Sequence, residues 1–299
     1  MSGEYAYDHA QLSDVLQSVV RGNVDADAWS WLTSEVETYR SQGSSGRFNG
    51  VFARIPRKTG KSPLKATSGL EERLSALRPG FSVEGWTVDR LTRVWLLMQI
   101  DASEPSQYFS QIENLFLAAE MSELVALYSA LPILAYPSIW QKRCAEGIRS
   151  NIGQVLNAVI CRNPYPAEEL DELAWNQLVL KAVFTEQPVL EIVGLRERRN
   201  PELARSLTDY ARERWSAHRQ VNPLLWLCVA PYLDDGLLQI VKRLFDSANP
   251  AEQHAAGLVC QESDLPAAKT LLEQFPSIKS SIENGQVTWS TVAGLVPVK

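Results

Sequence analysis

Residues 222–275 read NPLLWLCVAPYLDDGLLQIVKRLFDSANPAEQHAAGLVCQESDLPAAKTLLEQF, the most regular stretch of the chain and the one whose reading decides the fold. Its apolar residues recur with helical periodicity, which predicts helices over 222–232, 235–247, 250–261 and 264–275. Each is about a dozen residues long, with about two to four residues between neighbours, so the chain turns straight back on itself. Pro223, Pro250 and Pro266 each fall near a helix start, where the fixed φ of proline fits and its missing N–H breaks no bond. Asp234-Asp235 reads as a capping pair, because carboxylates stabilise a helix N-terminus.

Outward from this stretch the helical periodicity continues, and strand alternation is nearly absent. Leu12, Val15, Leu16, Val19 and Val20 trace one face of a first helix. Asp25 is the expected cap of a second, with Trp29, Leu32 and Val36 inside. Further helices are predicted over Leu70–Leu77, 87–100, 107–119, 122–131, 137–150, 152–161 and 171–186, and Pro201 opens another that runs to about Ala217. Segment 87–100 is apolar on most sides and belongs at the centre. Short antiparallel pairs at this spacing resemble HEAT-like repeats, whose units bury their apolar faces only by stacking on neighbours. The expected fold is therefore all-α: stacked antiparallel helical hairpins forming a HEAT-like α-solenoid, a single helical domain over 1–299. The apolar, β-branched tail 287–298 is expected to be a cap or a short strand.

Residues 41–69 interrupt the pattern. From Arg40 to Lys65 there are seven basic residues and no acidic one. A segment rich in Ser, Gly and Pro with unbalanced charge buries little apolar surface, so it is expected to be a basic loop. Part of it packs down through Phe48, Val51, Phe52 and Ile55. Its local positive field suits a phosphate or carboxylate group. Gly60-Lys61-Ser62 looks like the end of a phosphate-binding loop, but the glycine needed five positions earlier is Ile55, and no strand precedes it.

Against this local excess, the chain carries 29 basic and 35 acidic residues, a net charge of −6. That balance excludes general nucleic-acid binding, which needs a basic footprint to replace phosphate counterions, and leaves at most peripheral membrane contact. No run of about 18 apolar residues marks a transmembrane helix. The polar, acidic start lacks the regions of a signal peptide, so a cytoplasmic location is expected. Cys144, Cys161, Cys228 and Cys260 form no Cys-x-x-Cys pair and have apolar neighbours, the setting of buried reduced thiols. His9, His218 and His254 are equally scattered. Neither a metal site nor a cofactor is expected.

Unusual chemistry concentrates between residues 163 and 215. Trp175, Asn176 and Gln177 stand together in the body of a helix, where packed amides need partners. They either satisfy the irregular backbone of the 163–166 turn or orient a mostly apolar ligand. Gln177 and Lys181 share a face. On the next helix, Asp209 and Glu213 lie four apart among Arg205, Arg212 and Arg214. These are either a ladder of solvated ion pairs or a wall of carboxylates able to act as acid or base. No Gly-x-Ser-x-Gly elbow, Rossmann fingerprint or EF-hand loop occurs.

Several strings in this region come in a recognisable order. They are Asn163-Pro164-Tyr165-Pro166-Ala167-Glu168, Ala174-Trp175-Asn176-Gln177 with Lys181, and Ile192-Val193-Gly194-Leu195. Asn200-Pro201-Glu202-Leu203-Ala204-Arg205, Asp209-Tyr210-Ala211-Arg212-Glu213-Arg214-Trp215 and Asn222-Pro223 with Trp226 follow. Together they resemble the EboA family, strongly over 145–235 and diffusely elsewhere. The resemblance implies a role in metabolite traffic. The family is encoded in a bacterial gene cluster, beside a prenyltransferase-like membrane protein and hydrolase-like and isomerase-like proteins. That cluster is associated with secondary-metabolite biosynthesis and with moving precursors from cytosol to periplasm. Two departures stand out: Arg212 occupies a position the family usually fills with histidine, and Arg196 one it commonly fills with aspartate.

The expectation is a helical-repeat protein that binds a small, partly apolar metabolite, or proteins of the same cluster, through Tyr165, Trp175, Asn176, Gln177, Tyr210, Arg214 and Trp215. The alternative is a natural-product tailoring enzyme with Glu213 or Asp209 as acid or base and Lys181 or Arg214 stabilising negative charge. Segment 222–275 is expected to be plain scaffold.

Overall fold

The computed structural model describes residues 4–296. Among these residues the chain is all-α, with eighteen α-helices and short 3-10 turns, and the only β pairing is an isolated bridge between Pro63 and Thr87. No helix among them is long and apolar enough to cross a membrane. Compactness divides the chain between Leu170 and Asp171 into two units, within what the sequence presents as one helical domain.

The first unit contains α1 (His9–Asn23), α2 (Ala26–Gln42), α3 (Ser45–Thr59), α4 (Leu70–Leu77), α5 (Val88–Leu97), α6 (Pro105–Ala118), α7 (Met121–Ala130), α8 (Gln141–Ile148), α9 (Gly153–Ile160) and α10 (Tyr165–Glu169). As its all-round apolarity requires, α5 lies at the centre, buried from Leu91 to Leu97 and packed against α1, α3 and α7. The α1 stripe of Leu12, Val15, Leu16, Val19 and Val20 is buried as read. Each such side chain contributes roughly 1.5–3 kcal/mol relative to exposure. Asp25 caps α2 by accepting the Ala28 N–H at 2.7 Å. A helix sunk on all sides takes its polar residues down with it. Arg93, 2% exposed, is tolerated because Asp89 lies at 3.0 Å and Glu123 at 3.8 Å.

The expected basic loop over 41–69 is largely a helix. Phe48, Val51, Phe52 and Ile55 are spaced i, i+3, i+4, i+7, and all four are buried along one side of α3. The Ser, Gly and basic residues that suggested a loop lie mainly on its solvent side, where they cost little. Pro56, inside α3, cannot donate to the Phe52 carbonyl, and Arg93 Nε fills that vacancy at 3.1 Å. The residues after α3 are tied down as well: the Leu64 N–H reaches Trp86 O, the Val88 N–H reaches Ser62 O, and the Lys65 N–H reaches Asn23 Oδ1 at 2.7 Å.

The second unit contains α11 (Glu172–Phe184), α12 (Pro201–Ser216), α13 (Trp226–Val229), α14 (Asp235–Phe245), α15 (Pro250–Glu262), α16 (Pro266–Glu273), α17 (Pro276–Glu283) and α18 (Trp289–Leu295). Within this unit α15 is the central helix: it packs against α13, α14, α16, α17 and α18, with Ala255, Ala256, Val259 and Cys260 fully buried. The helix predicted over 222–232 is broken into a 3-10 turn, the four-residue α13 and a second 3-10 turn. Pro231 removes the donor that would reach the Leu227 carbonyl, and Arg199 Nη1 supplies one at 3.2 Å instead. Of the two expectations for the tail, the strand does not form over 287–296: Thr288 caps the helix α18 and Val292 is fully buried, while 297 and 298 lie outside the described residues.

Candidate functional site

The helices that bear the site start where their caps require. Asn200 accepts the Leu203 N–H at 2.8 Å and Pro201 opens α12, while Asp234 accepts the Leu237 N–H at 2.8 Å and opens α14. One face of α12, with Leu203, Ala204, Leu207, Thr208 and Ala211, is buried. Leu238, Val241, Leu244 and Phe245 anchor α14. The solvent sides of these two helices wall three consecutive hollows.

The first hollow, about 360 Å³, is lined by Arg205, Thr208, Asp209, Arg212 and Tyr232. The second, about 340 Å³, is lined by Arg212, Trp215, Gln239, Ile240 and Arg243. The third, about 490 Å³, is lined by Trp215, His218, Arg219, Arg243 and Glu252. Arg212 is shared by the first and second, and Trp215 and Arg243 by the second and third, so the hollows form one groove along α12 and α14. Trp215 is its midpoint. One side of its indole stacks on Trp226, centroids 5.8 Å apart at 23°, and the Arg243 guanidinium lies 4.2 Å from the ring centre. Asp209 pairs with Arg212 at 3.2 Å, both more than half exposed.

The structure distributes the residues expected to form a site. Asp209 and Trp215 line the groove. Glu213 is exposed on α12. Arg214 turns back to donate to Gln220 O at 3.0 Å and lies beside Tyr210, whose ring meets Phe184 at 4.4 Å. On α11, Gln177 is exposed and Lys181 half-buried. Trp175 and Asn176 are buried and engaged within the fold. Trp175 Nε1 donates to Arg198 O at 3.1 Å, with the Arg198 guanidinium 4.8 Å from the ring centre. Asn176 and Asn200 exchange reciprocal amide bonds at 3.1 and 2.8 Å. Asn176 therefore serves the cap of α12 through Asn200, a partner the sequence reading did not name. In the 163–166 turn, Asn163 donates to Tyr128 O and Ala158 O, and accepts the Tyr165 N–H. Tyr165 belongs to the first unit, is fully buried, and donates its hydroxyl to Pro137 O at 2.6 Å; burial pushes that hydroxyl well above the ordinary phenol range.

Sequence reading missed Gln239, Ile240 and Arg243, because 222–275 reads as scaffold. The available signal was α14 itself, where Gln239, Ile240 and Arg243 run at i, i+1 and i+4 outside the buried stripe. Of the two departures, Arg196 pairs with Glu262 at 3.1 Å and lines a separate hollow of about 160 Å³, whereas Arg212 joins two hollows of the groove.

Over residues 12–230 the chain matches the model of a family described as metabolite traffic protein EboA. No curated protein and no solved structure matches the chain at a significant level.

Proposed function

The chain belongs to the EboA family of metabolite traffic proteins, and on that premise we propose that it binds a small, acidic, partly apolar metabolite in the groove between α12 and α14. The observation that carries this reading is Trp215, half-buried in the groove wall, stacked on Trp226 and with the Arg243 guanidinium 4.2 Å from its ring centre. A backed indole offers flat apolar surface at low entropic cost. A guanidinium over it keeps its edge free for a carboxylate or phosphate while its face is stacked. Arg243 has no carboxylate partner among the described residues. The pairs Arg212–Asp209 and Arg205–Glu202 are exposed, worth little, and exchangeable for a ligand's own anion.

The groove favours binding over catalysis. Acid–base chemistry needs a carboxylate held out of water, and Asp209 and Glu213 are both exposed. A secondary-metabolite pathway, and transfer of the bound compound to other proteins of the same gene cluster, complete the proposal.

Calorimetric titration with 1-naphthyl phosphate tests it, with 1-naphthol and inorganic phosphate as the two halves of the probe. The whole probe should bind saturably and more tightly than either half. Trp215→Ala and Arg243→Ala should each weaken it about tenfold or more with the circular dichroism unchanged. Equal affinity in wild type and both variants sinks the assignment.

A further inference from the structure

We propose that the outer face of α3, together with the segment that follows it, docks on an anionic lipid bilayer. Arg47 and Arg54 are answered by Glu35, at 2.9 and 3.3 Å. Arg57, Lys58, Lys61 and Lys65 are exposed and have no carboxylate partner among the described residues. Beside them, Trp31 of α2 is half-buried, with Arg54 and Lys58 each 5.7 Å from its ring centre. Between the cations the surface is low: Gly46, Gly50 and Ala53 are exposed, and a Cβ built at either glycine meets nothing within 4 Å.

The backbone beneath these charges is fixed. Phe48, Val51, Phe52 and Ile55 hold α3, and hydrogen bonds at Ser62, Leu64 and Lys65 hold the segment beyond it. A preorganised array loses little entropy on meeting a surface. Its geometry suits a plane better than a small anion. The 15 residues of α3 span roughly 22 Å, and none of the hollows described above is lined by it. An indole among cations is the side-chain set of a membrane interface, with the ring at headgroup level and the charges on phosphates. The net charge of −6 does not oppose this contact, because screening over about 10 Å hides the rest of the chain from the bilayer.

The test is co-sedimentation of the full chain with phosphatidylcholine vesicles, with and without phosphatidylglycerol. Binding should require phosphatidylglycerol and fall at high salt. The triple variant R57E/K58E/K61E should bind about 100-fold more weakly. The triple variant K142E/R149E/K242E has the same charge change at other exposed positions and should bind within a few-fold of wild type. No binding to phosphatidylglycerol vesicles at low salt overturns the proposal, as does an equal loss in both triple variants. Tighter binding to DNA than to vesicles, lost in the α3 variant, would reassign the face to a polyanion and also overturn it.

Discussion

Asn176 and Asn200 satisfy one another out of reach of water, which makes each expensive to lose singly. Asn176→Ala leaves the Asn200 amide short of a partner and should cost about 1–3 kcal/mol in urea unfolding. His9 sets a pH dependence at the same scale. Burial holds its imidazole below the ordinary value, against the Met98 backbone and Asp8, which pull it up. The folded chain therefore resists a proton that the unfolded chain accepts. The stability is complete above the ordinary imidazole range and is lost as pH falls through it toward the folded-state value. His9→Gln should flatten the fall in Tm between about pH 7 and pH 5. An unchanged slope would place the titration elsewhere. The residues that make the family recognisable are mostly of this structural kind: Asn163, Tyr165, Trp175, Asn176 and Asn200 all spend their polar atoms inside the fold.

At the scale of the element, three prolines and three donors tell one story. Pro56, Pro132 and Pro231 each leave without its usual donor the carbonyl four residues back, and Arg93, Asn163 and Arg199 respectively supply a donor to Phe52, Tyr128 and Leu227. Helix breaks read locally as ends are thus points where another element is fastened. Arg199 also pairs with Glu262 at 3.1 Å, so Arg199→Met should cost about 1–3 kcal/mol by denaturant titration. Two glycines separate packing from propensity. At Gly147 a Cβ would fall 2.6 Å from both Tyr128 and Val159, so Gly147→Ala should destabilise by about 1–2 kcal/mol. Gly50 faces open space inside α3, so Gly50→Ala should stabilise by about 0.5–1 kcal/mol. A neutral result there would speak for the loop that the composition of 41–69 suggests.

For the molecule as a whole, a ligand held in the α12–α14 groove must stabilise the fold that forms the groove. At a probe concentration about 100 times its Kd the gain should be about 2.7 kcal/mol, read as a rise in Tm, and Trp215→Ala should abolish it. The all-α class, most of the helices, the caps at Asp25 and Asp234, and the centrality of α5 were determined by the sequence alone. These follow from periodicity and from side chains that bond within three residues, so neighbours along the chain suffice. What only the tertiary structure decided depends on residues distant in sequence. The composition of 41–69 hid a helix, because its apolar stripe has value only against α5. Trp175 and Asn176 looked like a ligand site because Arg198 and Asn200, their partners, are about two dozen residues away. The groove could not be read in advance, since one wall comes from α12 and the other from α14, a helix whose outer residues carry no signal until something stands opposite them.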